Sequence, residues 1–291
     1  FHTSSPTSLS SPFRSSQVKM LVSVCSCILG LAPLLTFENG TAVETAAAWT
    51  GSRRAQVSAL LQQHLLGSLP SHAPPLTRVS RINMTDESHG CSAFYELAFD
   101  VSAGGAGVSS VNFTVELLTP STCADNSATP SPPLFMTQWN HREWGLRALS
   151  RGYAALVYPA ADTRDAAPAF QRAYARTATM ALIVARAFVA SRALDFALSA
   201  PASLRLPAFQ AGRICVTGHS RNGKQSLLFA AFDERIGAVV GSSPGAPISS
   251  PYGFSSHNFY GEGPDAGTAG TWWLSSITRY EDNPDKLPMD G

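Results

Sequence analysis

Hydrophobic and polar positions divide the chain into stretches of different period. Over residues 45–66 the apolar side chains recur at helical spacing, Gly67 ends the pattern and Pro70 follows, which predicts one amphipathic helix. Residues 77–83, 93–101 and 108–118 instead alternate Val, Phe and Leu with polar residues, and turn signals such as Ala103-Gly104-Gly105 separate them. They are expected to be antiparallel strands leading into a sheet. Residues 119–133, rich in Ser, Thr and Pro, read as a surface connection.

From residue 134 the pattern becomes strand, helix, strand, helix, which calls for a doubly wound, mostly parallel sheet and an α/β fold. A strand over 134–137 leads through 138–141 into a helix over 144–151, closed by Gly152, and 153–158 is a buried strand. Residues 169–198 contain the run TATMALIVARAFVASRALDFAL and predict one long helix, apolar enough to be covered on most sides. After a loop over 199–212 come a strand over 213–217, a sharp turn over 218–223, a helix over 224–232 and a strand over 236–240. Beyond Gly241 the Gly, Ser, Pro and aromatic content through Trp273 suits a substrate-facing insertion. One domain over 34–291 is expected, because no convincing linker interrupts it.

Charge narrows the function. Lys and Arg number 21 against 20 Asp and Glu, and charged residues are only 14% of the chain, so the electrostatic footprint of a nucleic-acid binder is missing. No phosphate-binding glycine loop, zinc-ligand spacing or dinucleotide fingerprint is present, so neither a cofactor nor a metal is implied. Before Glu38 there is no acidic residue; seven serines precede Met20, and Arg14 and Lys19 lead into the apolar run 21–35. That run is broken by serines, Gly30 and Pro33 and is shorter than the roughly 18 to 20 residues of a membrane span, so no stable span is expected. Residues 1–33 are expected to be a leader outside the fold: a secretory segment if Met20 is the start, otherwise an organellar transit peptide or an ordinary N-terminal segment. The protein is accordingly expected to be secreted, with an organelle as the alternative. Among five cysteines, Cys25 and Cys27 would leave with a signal peptide and Cys215 lies in a core strand, which leaves Cys91 and Cys123 as the plausible bridge. Asn39, Asn83 and Asn112 are N-x-T sequons.

The chemistry concentrates in RICVTGHSRNGKQSLLFAAFDER. A buried strand enters Gly218-His219-Ser220-Arg221-Asn222-Gly223 and a helix leaves it at once, the setting of a nucleophile elbow. Such a turn strains the backbone at Ser220 and lifts its hydroxyl above the sheet. Gly218 supplies the small residue before it, and Asn222 replaces the usual second glycine. The helix N-terminus aims free N–H groups where an oxyanion would form, and Arg221 adds charge there. The alternative is an ordinary surface serine in a strand-turn-helix.

The elbow GHSRNGK is similar to the G-[CH]-S-R-x-G-K pattern of the glucuronoyl esterases and their bacterial relatives, α/β-hydrolases that cleave esters of glucuronic acid joining xylan to lignin alcohols. LTFENGTAVETAAAW, SRALDFAL and FDERI resemble that family too, and FYGE at 259–262 and KLPMDG at 286–291 match more loosely. The resemblance implies Ser220 as nucleophile, Arg221 as oxyanion stabiliser, Lys224 as a contact to the uronate sugar and Glu262 as a hydrogen-bond partner of sugar hydroxyls. For Lys224 the alternative is a solvated lysine on the first helical turn. Trp139 and His141, in the stretch after the strand at 134–137, are further candidate substrate contacts; otherwise that stretch is a helix start with a solvated charge pair. The chain departs from the family at Ser242-Ser243-Pro244-Gly245, where some members carry the catalytic carboxylate. His257 reads as a loop histidine, so the base and acid are expected beyond Gly291, the chain to be C-terminally truncated, and the 291 residues alone to be inactive. The expected reaction is serine-dependent hydrolysis of a carbohydrate ester. A deacetylase on the same scaffold and a non-catalytic sugar-binding or partner-binding protein are the competing readings.

Overall fold

A computed structural model describes residues 34–124, 131–160, 162–200, 202–210, 212–244 and 273–274. The leader, Glu262, His257 and the motifs at 259–262 and 286–291 therefore lie outside the described residues. The chain divides into two compact units, one through Ala59 and one running from Leu60 to Leu287. In the first, Thr36 and Ala42 form a β-bridge around a tight turn, and Thr45 caps a helical start by accepting from the Ala48 N–H at 3.0 Å.

Residues 46–66 are helical as expected, but not uniformly α. Helix α1 (Arg54–Leu61) is flanked by π-helical turns at Trp49–Arg53 and Gln62–Leu66. The Thr50 hydroxyl donates to the Ala46 carbonyl at 3.0 Å and competes with the ladder, which loosens the first of these. At the second end Gly67 lies so close to the Thr179 carbonyl that a Cβ would come within 1.4 Å of its oxygen.

The sheet runs β1-β2-β3-β5-β4-β6-β7. Strands β1 (Leu76–Glu87), β2 (Gly90–Asp100) and β3 (Ser110–Thr119) pair antiparallel, and β3 joins β5 (Ala154–Tyr158) antiparallel. Strands β4 (Leu134–Gln138), β5, β6 (Ile214–His219) and β7 (Ala238–Ser242) are mutually parallel. A Cys91–Cys123 disulfide ties the start of β2 to the segment after β3.

Both faces of the parallel half are covered. Ala155 and Val157 of β5 pack with Leu118 and with Leu149 of α2 (Arg142–Leu149). Alternation sends Ala154, Leu156 and Tyr158 to the other face, and every residue of β5 is buried, which explains its unbroken apolar text. Over the other face runs α4 (Leu182–Ser199), with 13 of its 18 residues buried, so it needs an apolar circumference rather than a stripe.

The single long helix expected over 169–198 is two: α3 (Ala167–Ala173) and α4. The backbone between them serves other partners. The Ala181 N–H donates to the Leu66 carbonyl at 2.8 Å, the Thr179 N–H to Ser68 Oγ at 3.0 Å, and Gln171 Nε2 to the Met180 carbonyl at 2.8 Å. Tertiary bonds thus override a good helical propensity.

From β4 the chain moves to β5 on one side, then returns to β6 on the other. The reversal puts a crevice at the carboxyl ends of β4 and β6, the place where open α/β sheets bind ligands.

Candidate active site

Three residues meet at that crevice because their strands end there: Gln138 on β4, His219 on β6 and Ser242 on β7. The turn after β6 is tighter than expected. Instead of spanning 218–223 it is Ser220 alone, because the Lys224 N–H already donates to the Ser220 carbonyl at 3.0 Å and α5 (Arg221–Phe232) starts at the next residue. Ser220 adopts φ 55°, ψ −129°, a region that costs a residue with a Cβ about 1–3 kcal/mol. Its own N–H is spent on the Ser242 carbonyl at 2.9 Å. The first N–H groups of α5 have no intrahelical acceptor and form the donor set that an oxyanion needs.

Close approach explains the small residues. A Cβ on Gly218 would stand 2.4 Å from the Asn222 carbonyl oxygen and 2.8 Å from Gln138 Oε1. On Gly223 it would meet the Gly218 and Ser242 carbonyl oxygens at 3.0 and 3.1 Å.

Lys224 is only 1% exposed, and its Nζ lies 5.8 Å from the Trp273 ring centroid. The alternative of a solvated lysine on the first helical turn is thereby overturned. Arg221, in contrast, is exposed at the start of α5. Trp139 stacks on Phe94 at 5.6 Å and carries the Arg164 guanidinium 4.2 Å from its centroid, so its ring is engaged by protein groups. Its Nε1 is buried with no hydrogen-bond partner among the described residues. His141 stacks on Trp144 at 4.4 Å and meets His219 edge-on at 6.5 Å. Burial, and then the neighbouring His219, holds His141 below the ordinary histidine pKa, and its Nε2 is also unpartnered among the described residues. His219 itself is exposed, with Nδ1 3.2 Å from Ser242 Oγ.

A buried polar layer under the serine escaped the sequence reading. Asn222 Nδ2 donates to Asn140 Oδ1 at 2.8 Å, Gln225 Nε2 donates to Asn222 Oδ1 at 2.9 Å, and Ser226 Oγ donates to the Asn222 carbonyl at 2.8 Å. Gln138 Nε2 reaches the Tyr158 hydroxyl at 2.5 Å and Ser226 Oγ at 3.2 Å. Burial pushes the Tyr158 hydroxyl up, so it stays protonated. The one signal in the sequence was Asn222 standing where a glycine is usual.

The alternative reading of a solvated charge pair at the start of α2 does not hold for Arg142. Arg142 forks onto Glu116 at 2.8 and 2.6 Å and reaches Glu87 at 2.6 Å, while Glu116 is fully buried and also accepts from Ser92 Oγ at 2.6 Å. This pins the Trp139–His141 turn to β1 and β3. Asp165, at the carboxyl edge after β5, is likewise occupied: it accepts from the Ala167 N–H at 3.0 Å and pairs with Arg186 at 2.7 Å.

A strained serine on a sharp turn from a parallel strand into a helix is the geometry of the nucleophile elbow of α/β-hydrolases. Residues 101–291 match the family model described as "Glucuronyl esterase, fungi". The chain belongs to this glucuronyl esterase family. A 4-O-methyl-glucuronoyl methylesterase of Cerrena unicolor is 29% identical over 222 residues, covering 72% of this chain and 41% of that protein. One from Wolfiporia cocos is 25% identical, covering 87% and 60%. The chain thus spans about half the length of these curated relatives. Among solved structures, a promiscuous CE15 esterase from a marine bacterial metagenome aligns with TM-score 0.64 at 18% identity, covering 89% of this chain and 74% of that one. The glucuronoyl esterase from Solibacter usitatus aligns at 0.61 and 17%, covering 88% and 75%. These likenesses show that the chain has the α/β-hydrolase fold of the CE15 esterases. No helix among the described residues is long and apolar enough to cross a membrane.

Proposed function

We propose that this chain carries the nucleophile of a serine-dependent carboxylic-ester hydrolase whose substrate is a glucuronoyl ester of a carbohydrate. The observation that carries the reading is Ser220 at φ 55°, ψ −129° between β6 and α5, with a buried ammonium one helical turn further on. Ser220 Oγ attacks the ester carbonyl, the tetrahedral oxyanion is held by the first N–H groups of α5 and by Arg221, and the alcohol leaves. Water then hydrolyses the acyl-enzyme. Serine needs a base for this step, and the end of β7 and the residues after it offer Ser242, Ser243 and Pro244 rather than a carboxylate. Lys224, with Trp273 beside it, suits the hydroxyl and ring oxygens of a uronate whose own charge is lost in the ester, and Trp139 Nε1 and His141 Nε2 are buried polar atoms with no partner among the described residues. Glu262 remains a sugar contact by resemblance. The Cys91–Cys123 disulfide favours a protein that works outside the reducing cytosol.

The test is kcat/KM of the full-length protein on a glucuronate benzyl ester and on a plain short-chain ester, for wild type, Ser220→Ala and Lys224→Ala. Ser220→Ala should abolish both. Lys224→Ala should cost the glucuronate ester about 1.5–3 kcal/mol of transition-state binding, the range for a hydrogen bond to a charged group. Equal losses on the two substrates would remove the sugar-contact role and leave a general esterase.

A further inference from the structure

Three N-x-T sequons look alike in the sequence, but the structure separates them. Asn83 lies in β1, where its Oδ1 accepts from the Met84 N–H at 2.7 Å, and Asn112 lies in β3, where its Oδ1 accepts from Ser110 Oγ at 2.7 Å. Neither is bonded to the threonine of its own sequon. Both conformations depend on strand partners distant in sequence, Phe94 for Asn83 and Ala98 for Asn112.

Asn39-Gly40-Thr41 differs on each count. All three residues are exposed, as are those of the Asn83 sequon, but here they form a turn closed within five residues: the Gly40 N–H donates to the Phe37 carbonyl at 2.9 Å and the Phe37 N–H to the Thr41 carbonyl at 2.8 Å. Gly40 takes φ +82°, which a glycine adopts without penalty, so the turn is a local property of the chain and is available before the sheet assembles. Inside it Asn39 Oδ1 accepts twice, from Thr41 Oγ1 at 2.7 Å and from the Thr41 N–H at 3.1 Å. Two donors on the amide oxygen stabilise the imidate form and so make the Nδ2–H more acidic, while Nδ2 donates to nothing among the described residues. This prepares an amide nitrogen, ordinarily a poor nucleophile, to act as one. A second, independent observation concerns the compartment: the Cys91–Cys123 disulfide belongs to a chain that matures under oxidising conditions, as secreted proteins do.

We propose that Asn39 is a glycosylation site, carrying an N-linked oligosaccharide on Nδ2, and that Asn83 and Asn112 are poor acceptors. The donor class is an oligosaccharide joined through its anomeric carbon to a polyprenyl diphosphate. Nδ2 loses a proton to a base of the transferase and bonds the anomeric carbon, while the anomeric C–O bond breaks and its electron pair leaves with the diphosphate. Exposure of all three sequon residues lets the folded protein keep the sugar in solvent.

The experiment expresses the full chain through the secretory pathway of a eukaryotic cell and maps its peptides by mass before and after an amidase that converts glycosylated Asn to Asp in heavy-oxygen water. The Asn39 peptide should carry the label and dominate the occupancy. Asn39→Gln, Thr41→Ala and Gly40→Pro should each remove the sugar-dependent mobility shift, Thr41→Ser should retain it in part, and Asn83→Gln should leave it in place. An unlabelled Asn39 peptide in protein whose Cys91–Cys123 bond has closed would overturn the assignment. So would sugar found on Asn83 or Asn112 alone, or a reduced Cys91–Cys123 pair in the protein from its natural source.

Discussion

Glycine in place of Ser220 should raise the stability of the fold while removing the hydroxyl proposed as the nucleophile. The backbone there stands at φ 55°, ψ −129°, where a side chain with a Cβ costs about 1–3 kcal/mol. Glycine lifts that cost but gives the unfolded chain more freedom, worth about 0.5–1 kcal/mol in the opposite direction. Loss of the hydroxyl subtracts little, because Ser220 Oγ holds no hydrogen bond among the described residues. The net expectation is a gain of about 1 kcal/mol, whereas Ser220→Ala keeps the Cβ and the strain and should stay within about 0.5 kcal/mol of wild type. Urea denaturation of the three proteins measures this, read as a shift of midpoint at constant m. The difference between the glycine and alanine variants isolates the backbone from the hydroxyl. A glycine variant less stable than the alanine variant would refute a strained elbow and with it the geometric case for a nucleophile.

Arg142→Ala should destabilise by about 3 kcal/mol, the low end for breaking a buried pair because the arginine is partly exposed; it leaves Glu116 uncompensated at 0% exposure, and a thermal melt reads it. Converting both Cys91 and Cys123 to Ser should cost about 3–4 kcal/mol by chain entropy across their 32-residue separation, seen as a lower urea midpoint relative to the oxidised protein. His141 is held below the ordinary histidine value, so between that lowered value and about 6.5 the unfolded chain binds the proton first. Its contribution to stability should therefore be constant above about 6.5 and fall as the pH drops through that window. A histidine titration by NMR with His141 at or above 6.5 would contradict this.

Periodicity made most of the fold legible. The alternation over 93–101 and 108–118, the apolar AALVY of β5 and the strand entering Ser220 each have a burial requirement that the sequence pattern must satisfy. What periodicity could not show was where backbone bonds leave an element. Residues 174–181 read as helix because their propensities favour it, but the Ala181 and Thr179 N–H groups and the Met180 carbonyl are spoken for by Leu66, Ser68 and Gln171, all distant or side-chain partners. The candidate site divides in the same way. Ser220 and Lys224 are placed by one turn and one helix and could be read locally, whereas the Glu116–Arg142–Glu87 cluster joins residues up to 55 positions apart and leaves no trace in spacing.

The departure at Asn222 shows what the elbow physically requires. A second small residue is demanded because α5 must come close to β6 and β7, and here that contact is made by Gly223, whose missing Cβ clears two carbonyl oxygens at 3.0 and 3.1 Å. The requirement has moved one residue along the helix, which frees position 222 to carry a side chain. Asn222 is 1% exposed, and a buried amide must be bonded or it costs about 1–3 kcal/mol. Its nitrogen donates to Asn140, in the turn after β4, and its oxygen accepts from Gln225. The substitution therefore links the helix that starts at the serine to the turn that carries Trp139 and His141, two parts of the crevice that the usual glycine would leave unconnected at this point.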